Sequence, residues 1–202
     1  MADDVPERGV RTRLGDGTPA LIRDVGPQDA AALAEGFDGL SRESRLFRFL
    51  HAVERLPPSD IDMFTRPDHV LHEAIGAILI EGGRKQPAGI AHFFRGQADE
   101  ARAEMSLAVI DAAQGRGLGS LLLGRLLKVA AARGIARFDA FVHSQNRAMI
   151  HMLLALGADE RPEVGLRVFV LAVHRDPEAY PATPTGDAIR AAYALESAPL
   201  AA

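Results

Sequence analysis

Cysteine is absent from the chain. That excludes disulfides, thiolate metal sites and a cysteine nucleophile, and it fits a reducing compartment such as the cytoplasm. Tryptophan is also absent and only 5% of residues are aromatic, too few for a base-stacking platform. No sign of charge dominates. The formal net charge is −4, a bulk field that repels nucleic-acid phosphate, so no nucleic-acid partner is expected. No apolar run is long enough to span a bilayer. Met1 to Val10 mixes charges of both signs without an apolar h-region, so no secretory signal is read there. His69 and His72 lie close together, but no further ligands stand at a suitable spacing. They are read as ordinary residues, and no metal site is expected.

What is present is a chain of 202 residues, 48% of them apolar. That is enough for one domain with a real core. The informative stretch is Gln114-Gly115-Arg116-Gly117-Leu118-Gly119-Ser120, between an apolar run and a long helical pattern. A strand, a glycine-rich turn and a helix N-terminus together bind phosphate. The first N–H groups of a helix lack internal partners, and its dipole is positive at that end. Two phosphate ligands are excluded by spacing. A dinucleotide fingerprint, G-x-G-x-x-G, would need glycine at Leu122 or Ser120. A P-loop would need a Gly-Lys-Ser/Thr run, and the nearest lysine is Lys128.

The flanks give an element order. Thr18 to Arg23 reads as a strand. A helix opens at Pro27, and Ser41 or Ser44 caps the next one. Arg42, Arg45 and Arg48 recur along that second helix. They read as a solvated face or as a basic lip on a cleft. A short helix covers Ile61 to Phe64. Strands follow over Glu73 to Ile80, Gly89 to Arg95 and Ala101 to Ile110. Leu118, Leu121, Leu122, Leu126, Val129 and Ala130 make a helical stripe that stops at Arg133-Gly134. Arg137 to Val142 is a strand, Asn146 to Leu156 a helix, and Leu166 to Val173 a last strand paired with a piece near Ala158 to Arg161. This predicts an α+β fold: a mixed, mostly antiparallel sheet of six to seven strands flanked by helices. The domain is read as residues 10–175. Residues 176–202 are read as a proline- and alanine-rich tail, helical in part, that packs weakly or docks on a partner.

Gln114, Gly117 and Gly119 in the order Gln-x-x-Gly-x-Gly resemble the acetyl-CoA pyrophosphate loop of the GNAT acetyltransferase superfamily. Asn146, opening the helix after the later strand, resembles that family's second signature. Further stretches resemble Pat-type bacterial protein lysine acetyltransferases: Gly17, Thr18, Pro19, Ile22 and Arg23; Leu40-Ser41-Arg42-Glu43-Ser44 leading to Arg48-Phe49; Ala103-Glu104; and Asn146-Arg147-Ala148-Met149. The resemblance covers residues 10 to 174. It implies the GNAT fold, acetyl-CoA as cosubstrate and a primary amine as acceptor. A protein lysine is the first choice, and a small amine or amino-acid-like metabolite the second. A non-catalytic CoA-binding sensor is the reading from another class. A homodimer is left open.

The resemblance also implies site residues. Glu104 is the general base, expected to be partly buried with a raised pKa, and His143 is the second candidate. A backbone N–H among Leu107, Ala108 and Val109 polarises the thioester carbonyl. The N–H groups of Gly115, Arg116, Gly117, Leu118, Gly119 and Ser120 meet the pyrophosphate, with Arg116 offering a charge to a phosphate. Gln114 opens the loop, and Asn146 reaches the pantetheine or caps its own helix. His92 is read as a core residue and His151 as structural. One departure stands out. Many family members carry a tyrosine as general acid at the place of Leu153, whereas the two tyrosines here, Tyr180 and Tyr193, lie in the tail.

Overall fold

The computed structural model describes residues 9–163 and 166–196. The first eight residues, where the missing signal was read, and the last six of the tail lie outside the described residues. In chain order the elements are β1 (Val10–Arg13), β2 (Pro19–Asp24), α1 (Ala30–Asp38), α2 (Arg42–Phe49), α3 (Pro58–Thr65), β3 (His72–Glu81), β4 (Arg84–Arg95), β5 (Arg102–Val109), α4 (Leu118–Ala132), β6 (Arg137–His143), α5 (Arg147–Ala155), β7 (Asp159–Glu163), β8 (Leu166–Ala172) and α6 (Pro184–Ala194). The strands form one sheet in the order β1-β2-β3-β4-β5-β6-β8-β7. Every neighbouring pair is antiparallel except β5 and β6. The expected architecture is present with one more strand than expected. The addition is β1, whose sequence Val-Arg-Thr-Arg has a single apolar residue and so no visible alternation.

The helices follow the apolar pattern. Leu118, Leu122, Leu123, Leu126 and Leu127 of α4 are completely buried, packing with Ala91, Phe93 and Met105 of the sheet. Each such leucine contributes about 1.5–3 kcal/mol by leaving water. The opposite face is covered by α1 over β4 and by α2 over β5 and β6, with α3 against α1. Ser41 caps α2, its hydroxyl accepting the Ser44 N–H at 3.1 Å. Asn146 caps α5, its Oδ1 accepting the Met149 N–H at 3.1 Å. Among the described residues no helix is long and apolar enough to cross a membrane.

The stretch after His174 differs from the weakly packing tail expected. Helix α6 lies against α4, with Ile189 and Ala192 buried and Tyr180 and Tyr193 in the same core. The two helices touch closely because α4 carries Gly124 at the crossing: a Cβ there would stand 2.5 Å from that of Ala192. The C-terminal carbonyls of α6, which have no partners within the helix, accept from two cations of α4. Lys128 Nζ donates to Tyr193 O at 2.5 Å and Arg125 Nη1 to Leu195 O at 2.7 Å. The packing gives a direct test. Ile189→Ala is expected to lower unfolding stability by about 2–5 kcal/mol in urea titrations, whereas an unchanged midpoint would mean that α6 merely rests on the surface.

Candidate active site

The parallel pairing of β5 with β6 is short. Arg102, Ala103 and Glu104 face Arg137, Phe138 and Asp139, and there the register ends. Beyond it β5 pairs only with β4, while β6 continues against β8. The two strands therefore part at Glu104 and leave a cleft.

The hydrogen-bond parity of β5 decides which groups face that cleft. Ile110 N–H bonds to Ala88 O and Gly96 N–H to Arg102 O, so even-numbered positions spend their backbone groups on β4. Ala101 O accepts from Ala136 and Arg137 N–H, so odd-numbered positions face β6. Leu107 and Val109 thus turn their N–H groups into the gap. Ala108, expected as an equal candidate, turns its own N–H toward β4. The Val109 carbonyl, on the same open edge, accepts from Gln114 Nε2 at 3.1 Å.

Gln114 also donates to Ser44 Oγ at 3.3 Å, which ties the glycine loop to α2. Asp111 accepts the Ser41 N–H at 3.2 Å from the same turn. Burial opposes the charge on Asp111, but the bonds from Ser41 and Ser44 prevail and hold its pKa below the usual range. The loop then reverses through Gly115 and Gly117, whose φ values of 72° and 84° suit glycine. The first backbone bond of α4 runs from Leu121 N–H to Gly117 O at 3.1 Å. The N–H groups of Leu118, Gly119 and Ser120 are left outside the ladder at the positive end of a 15-residue helix. A Cβ on Gly119 would stand 3.7 Å from Leu107 Cδ2, so this helix end abuts β5. Ser120 Oγ lies 3.8 Å from Met152 Sδ of α5, which flanks the loop.

Arg116 is not the free cation that the sequence suggested. Its Nε donates to Asp16 Oδ2 at 2.6 Å and its Nη2 to Glu81 Oε1 at 2.8 Å and to Thr18 Oγ1. The side chain staples the loop to two hairpin turns. The Asp16 carboxyl is lowered to about 2 by the Thr18 N–H and the Arg116 guanidinium.

The catalytic candidates separate. Glu104 stands at the fork, on the same face of β5 as Ser106, and is exposed rather than partly buried. Among the described residues it has no ion pair within 4 Å, whereas its β6 neighbour Asp139 is engaged by Arg102 through two bonds, one of 2.6 Å. His143 lies four residues past Asp139, about 13 Å along β6. Its Nδ1 accepts the Gln145 N–H at 3.2 Å, so that nitrogen is engaged by the turn that follows β6. Its ring sits 5.2 Å from Phe47 across the cleft mouth. Leu153, where the family's tyrosine would stand, is completely buried. Neither tyrosine reaches the cleft: Tyr193 O–H donates to His174 O at 2.9 Å, and the Tyr180 hydroxyl lies between Ala172 O and His174 N. His151 is exposed on α5.

Sequence reasoning missed the polar cluster beneath α2 and α3. His92, directly across from Ser106, is buried. Its Nε2 lies 2.7 Å from Ser106 Oγ and 2.5 Å from Arg48 Nη2. Arginine only donates, so Nε2 is the unprotonated nitrogen and the ring is neutral. His72 stacks on Phe94 at 4.1 Å and meets His92 edge-on at 5.6 Å. Burial first, then Arg48 and His72, pushes the His92 pKa far down. Burial first also lowers that of His72. The alternation of β4 could have located this cluster, since His92 shares a face with Phe94 and Ile90. Nothing in the sequence brings Arg48 there. Among the described residues no group of three or more acids and histidines could hold a metal ion.

A family model described as the acetyltransferase (GNAT) family matches residues 42–158. A Pseudomonas aeruginosa acetyltransferase is 29% identical over 144 residues, 71% of this chain and 77% of its own length. The acetyltransferase Pat of Mycolicibacterium smegmatis is 31% identical over 137 residues, 68% of this chain but 40% of that longer protein. The crystal structure of the GNAT domain of S. lividans PAT superposes with a TM-score of 0.74 at 30% identity, covering 81% of this chain and 96% of that one.

The two buried imidazoles predict a pH dependence. An unfolded histidine takes up a proton near pH 6.5, while His72 and His92 resist it in the folded state. The unfolded chain therefore binds more protons as pH falls, and stability is complete above that value and lost below it. Urea titrations at about pH 7.5 and about pH 5.5 should show the loss, and His92→Gln should shrink it. An identical pH slope in the variant would contradict the assignment.

Proposed function

Because the chain belongs to the acetyltransferase (GNAT) family, we propose that it transfers an acetyl group from acetyl-CoA to a primary amine, with a protein lysine as the acceptor. The observation that carries the reading is the fork itself. A carboxylate, two backbone donors without a partner among the described residues and a free helix N-terminus meet around one gap in the sheet. The Pat-type pattern in residues 40–49 and 146–149 supports lysine over a small amine.

The residues present fit acetyl-CoA. The N–H groups of Gly115 to Ser120 would hold its pyrophosphate at the positive helix end. The open space beside Gly115 and Gly117, where a Cβ would meet nothing within 4 Å, admits a ligand. Asn146 has its oxygen committed to the α5 cap, which leaves its amide N–H₂ for the pantetheine. Gln114 acts by holding the loop to β5.

In this reading Glu104 takes a proton from the acceptor ammonium, directly or through one water. The freed amine attacks the thioester carbonyl, and the Leu107 or Val109 N–H donates to the oxygen as charge develops there. The new bond is N–C and the bond broken is C–S. With Leu153 in the tyrosine's place, the sulfur leaves as thiolate. A thiol pKa of about 8.5 makes that departure feasible without a protein acid. His143 is a wall of the cleft and not the base.

Two variants test this. Glu104→Gln should lower kcat by about 10²- to 10⁴-fold with little change in acetyl-CoA affinity, and undiminished turnover would remove Glu104 from the mechanism. Gly117→Val forces a branched side chain into a left-handed position costing about 1–2 kcal/mol and narrows the approach to the loop. It should fold, since nothing lies within 4 Å of the new Cβ, yet lose acetyl-CoA binding in calorimetry. Retained affinity would exclude the loop as the phosphate site.

A further inference from the structure

The three arginines of α2 have different surroundings. Arg42 is exposed. Arg45 donates to Leu40 O at 3.0 Å and Glu54 O at 2.9 Å and lies over the Phe37 ring. Arg48 is turned under the helix. Its guanidinium carbon stands 4.9 Å from the Phe49 ring centre and 5.2 Å from that of Phe64, and its Nη2 is bonded to His92.

This cation is half-buried and has no counter-ion in contact among the described residues. Among the described residues no carboxylate lies within 4 Å of it. Glu104 and Asp60 act on it only through space. A charge even partly shielded from water normally has a counter-ion, because its desolvation otherwise goes uncompensated. A guanidinium has five N–H donors in a planar fork. One is spent on a neutral histidine, and the others have no acceptor among the described residues. The two rings at its sides fix its orientation, as a pre-set anion receptor requires. Its surroundings tie it to the cleft. His92 bonds Ser106, and Ser106 is two residues from Glu104 on the same face of β5.

A Ser106–His92 nucleophile is the competing use of these groups. It fails because the Nε2 lone pair that would take the serine proton is shared with the Arg48 N–H, and His92 Nδ1 has no orienting acceptor among the described residues.

We propose that Arg48 anchors a carboxylate carried by the acceptor, beside the amine that Glu104 deprotonates. The proposal rests on the transfer reading given above and refines its substrate class. The acceptor is an amine with a nearby acid, either a lysine flanked by Asp or Glu in a protein or an amino acid with its own carboxylate. Bidentate recognition of a carboxylate by arginine supplies both attraction and alignment.

The experiment compares acceptors that differ in one carboxylate. One pair is a lysine peptide with Glu beside the lysine and the same peptide with Gln. The other is a free amino acid and its carboxamide. CoA release from acetyl-CoA gives kcat/KM for each. The expected result is a preference of about 10-fold or more for the acid member of at least one pair. Preference in the first pair identifies the protein acceptor, and preference confined to the second identifies a free amino acid. Arg48→Met should bring the ratio toward one through KM, with acetyl-CoA affinity by calorimetry held near wild type. Arg48→Lys should keep part of the ratio, as a charge without the fork. Equal rates within both pairs of the wild type overturn the anchor while leaving acetyl transfer intact. A ratio that survives in Arg48→Met also overturns it, and marks Arg48 as a clamp for α2. Should Arg48→Met fail to fold, the wild-type ratios and Arg48→Lys decide. An enzyme that binds acetyl-CoA and acetylates no amine would remove the transfer reading and the anchor together.

Discussion

Between β5 and β6 the backbone ladder lasts three residues, and the layout of the site follows from where it stops. A buried N–H without a partner is costly, so a strand edge left open inside a sheet must be met by water or by a ligand. Past Glu104 the odd positions of β5 have lost β6 and cannot turn to β4, which the even positions already occupy. Leu107 and Val109 thereby offer donors in a line. The same open edge lets Gln114 reach the Val109 carbonyl and anchor the loop that follows. Helix α4, fixed by its leucine face on the sheet, then presents its free N-terminus alongside β5.

The polar cluster beneath α2 obeys a different constraint. Arg48 of α2, Phe64 of α3, His72 of β3 and Phe94 of β4 converge on His92, and its Nε2 can take a proton or accept hydrogen bonds but not both. Arg48 and Ser106 settle that choice in favour of a neutral ring, at the cost of acid sensitivity. The region below α2 is therefore a polar patch beside an exposed carboxylate, and among the described residues no acid lies within 4 Å of its Arg48 guanidinium. Under the proposed reading the cleft has a donor side built from backbone and an acceptor side built from side chains. Acceptor choice can then vary without disturbing the cofactor loop.

Much of the fold was legible because turn chemistry and periodicity agree along most of the chain. Asn146 was readable as a cap, and Gly117 sits where a loop must turn before a helix. β1 was not legible because three of its four residues are polar and its burial comes from pairing with β2. α6 was misjudged because its close contact with α4 depends on Gly124 opposite Ala192, which carries no hydrophobic signal. Side-chain roles were harder still. Arg116 looks like a phosphate ligand until Asp16 and Glu81, far away in sequence, are brought to it. Arg42, Arg45 and Arg48 look alike until α2 is laid against β5. The choice of Leu107 and Val109 over Ala108 depends on hydrogen-bond parity, which only strand register supplies.

Amide hydrogen exchange with and without saturating acetyl-CoA reports whether the gap between β5 and β6 receives it. In the free protein the Leu107 and Val109 amides should exchange quickly while Ala108 is protected. On saturation Leu107 or Val109, together with Leu118, Gly119 and Ser120, should become protected. Exchange at these amides that is unchanged by a ligand shown to be bound would place acetyl-CoA outside the gap.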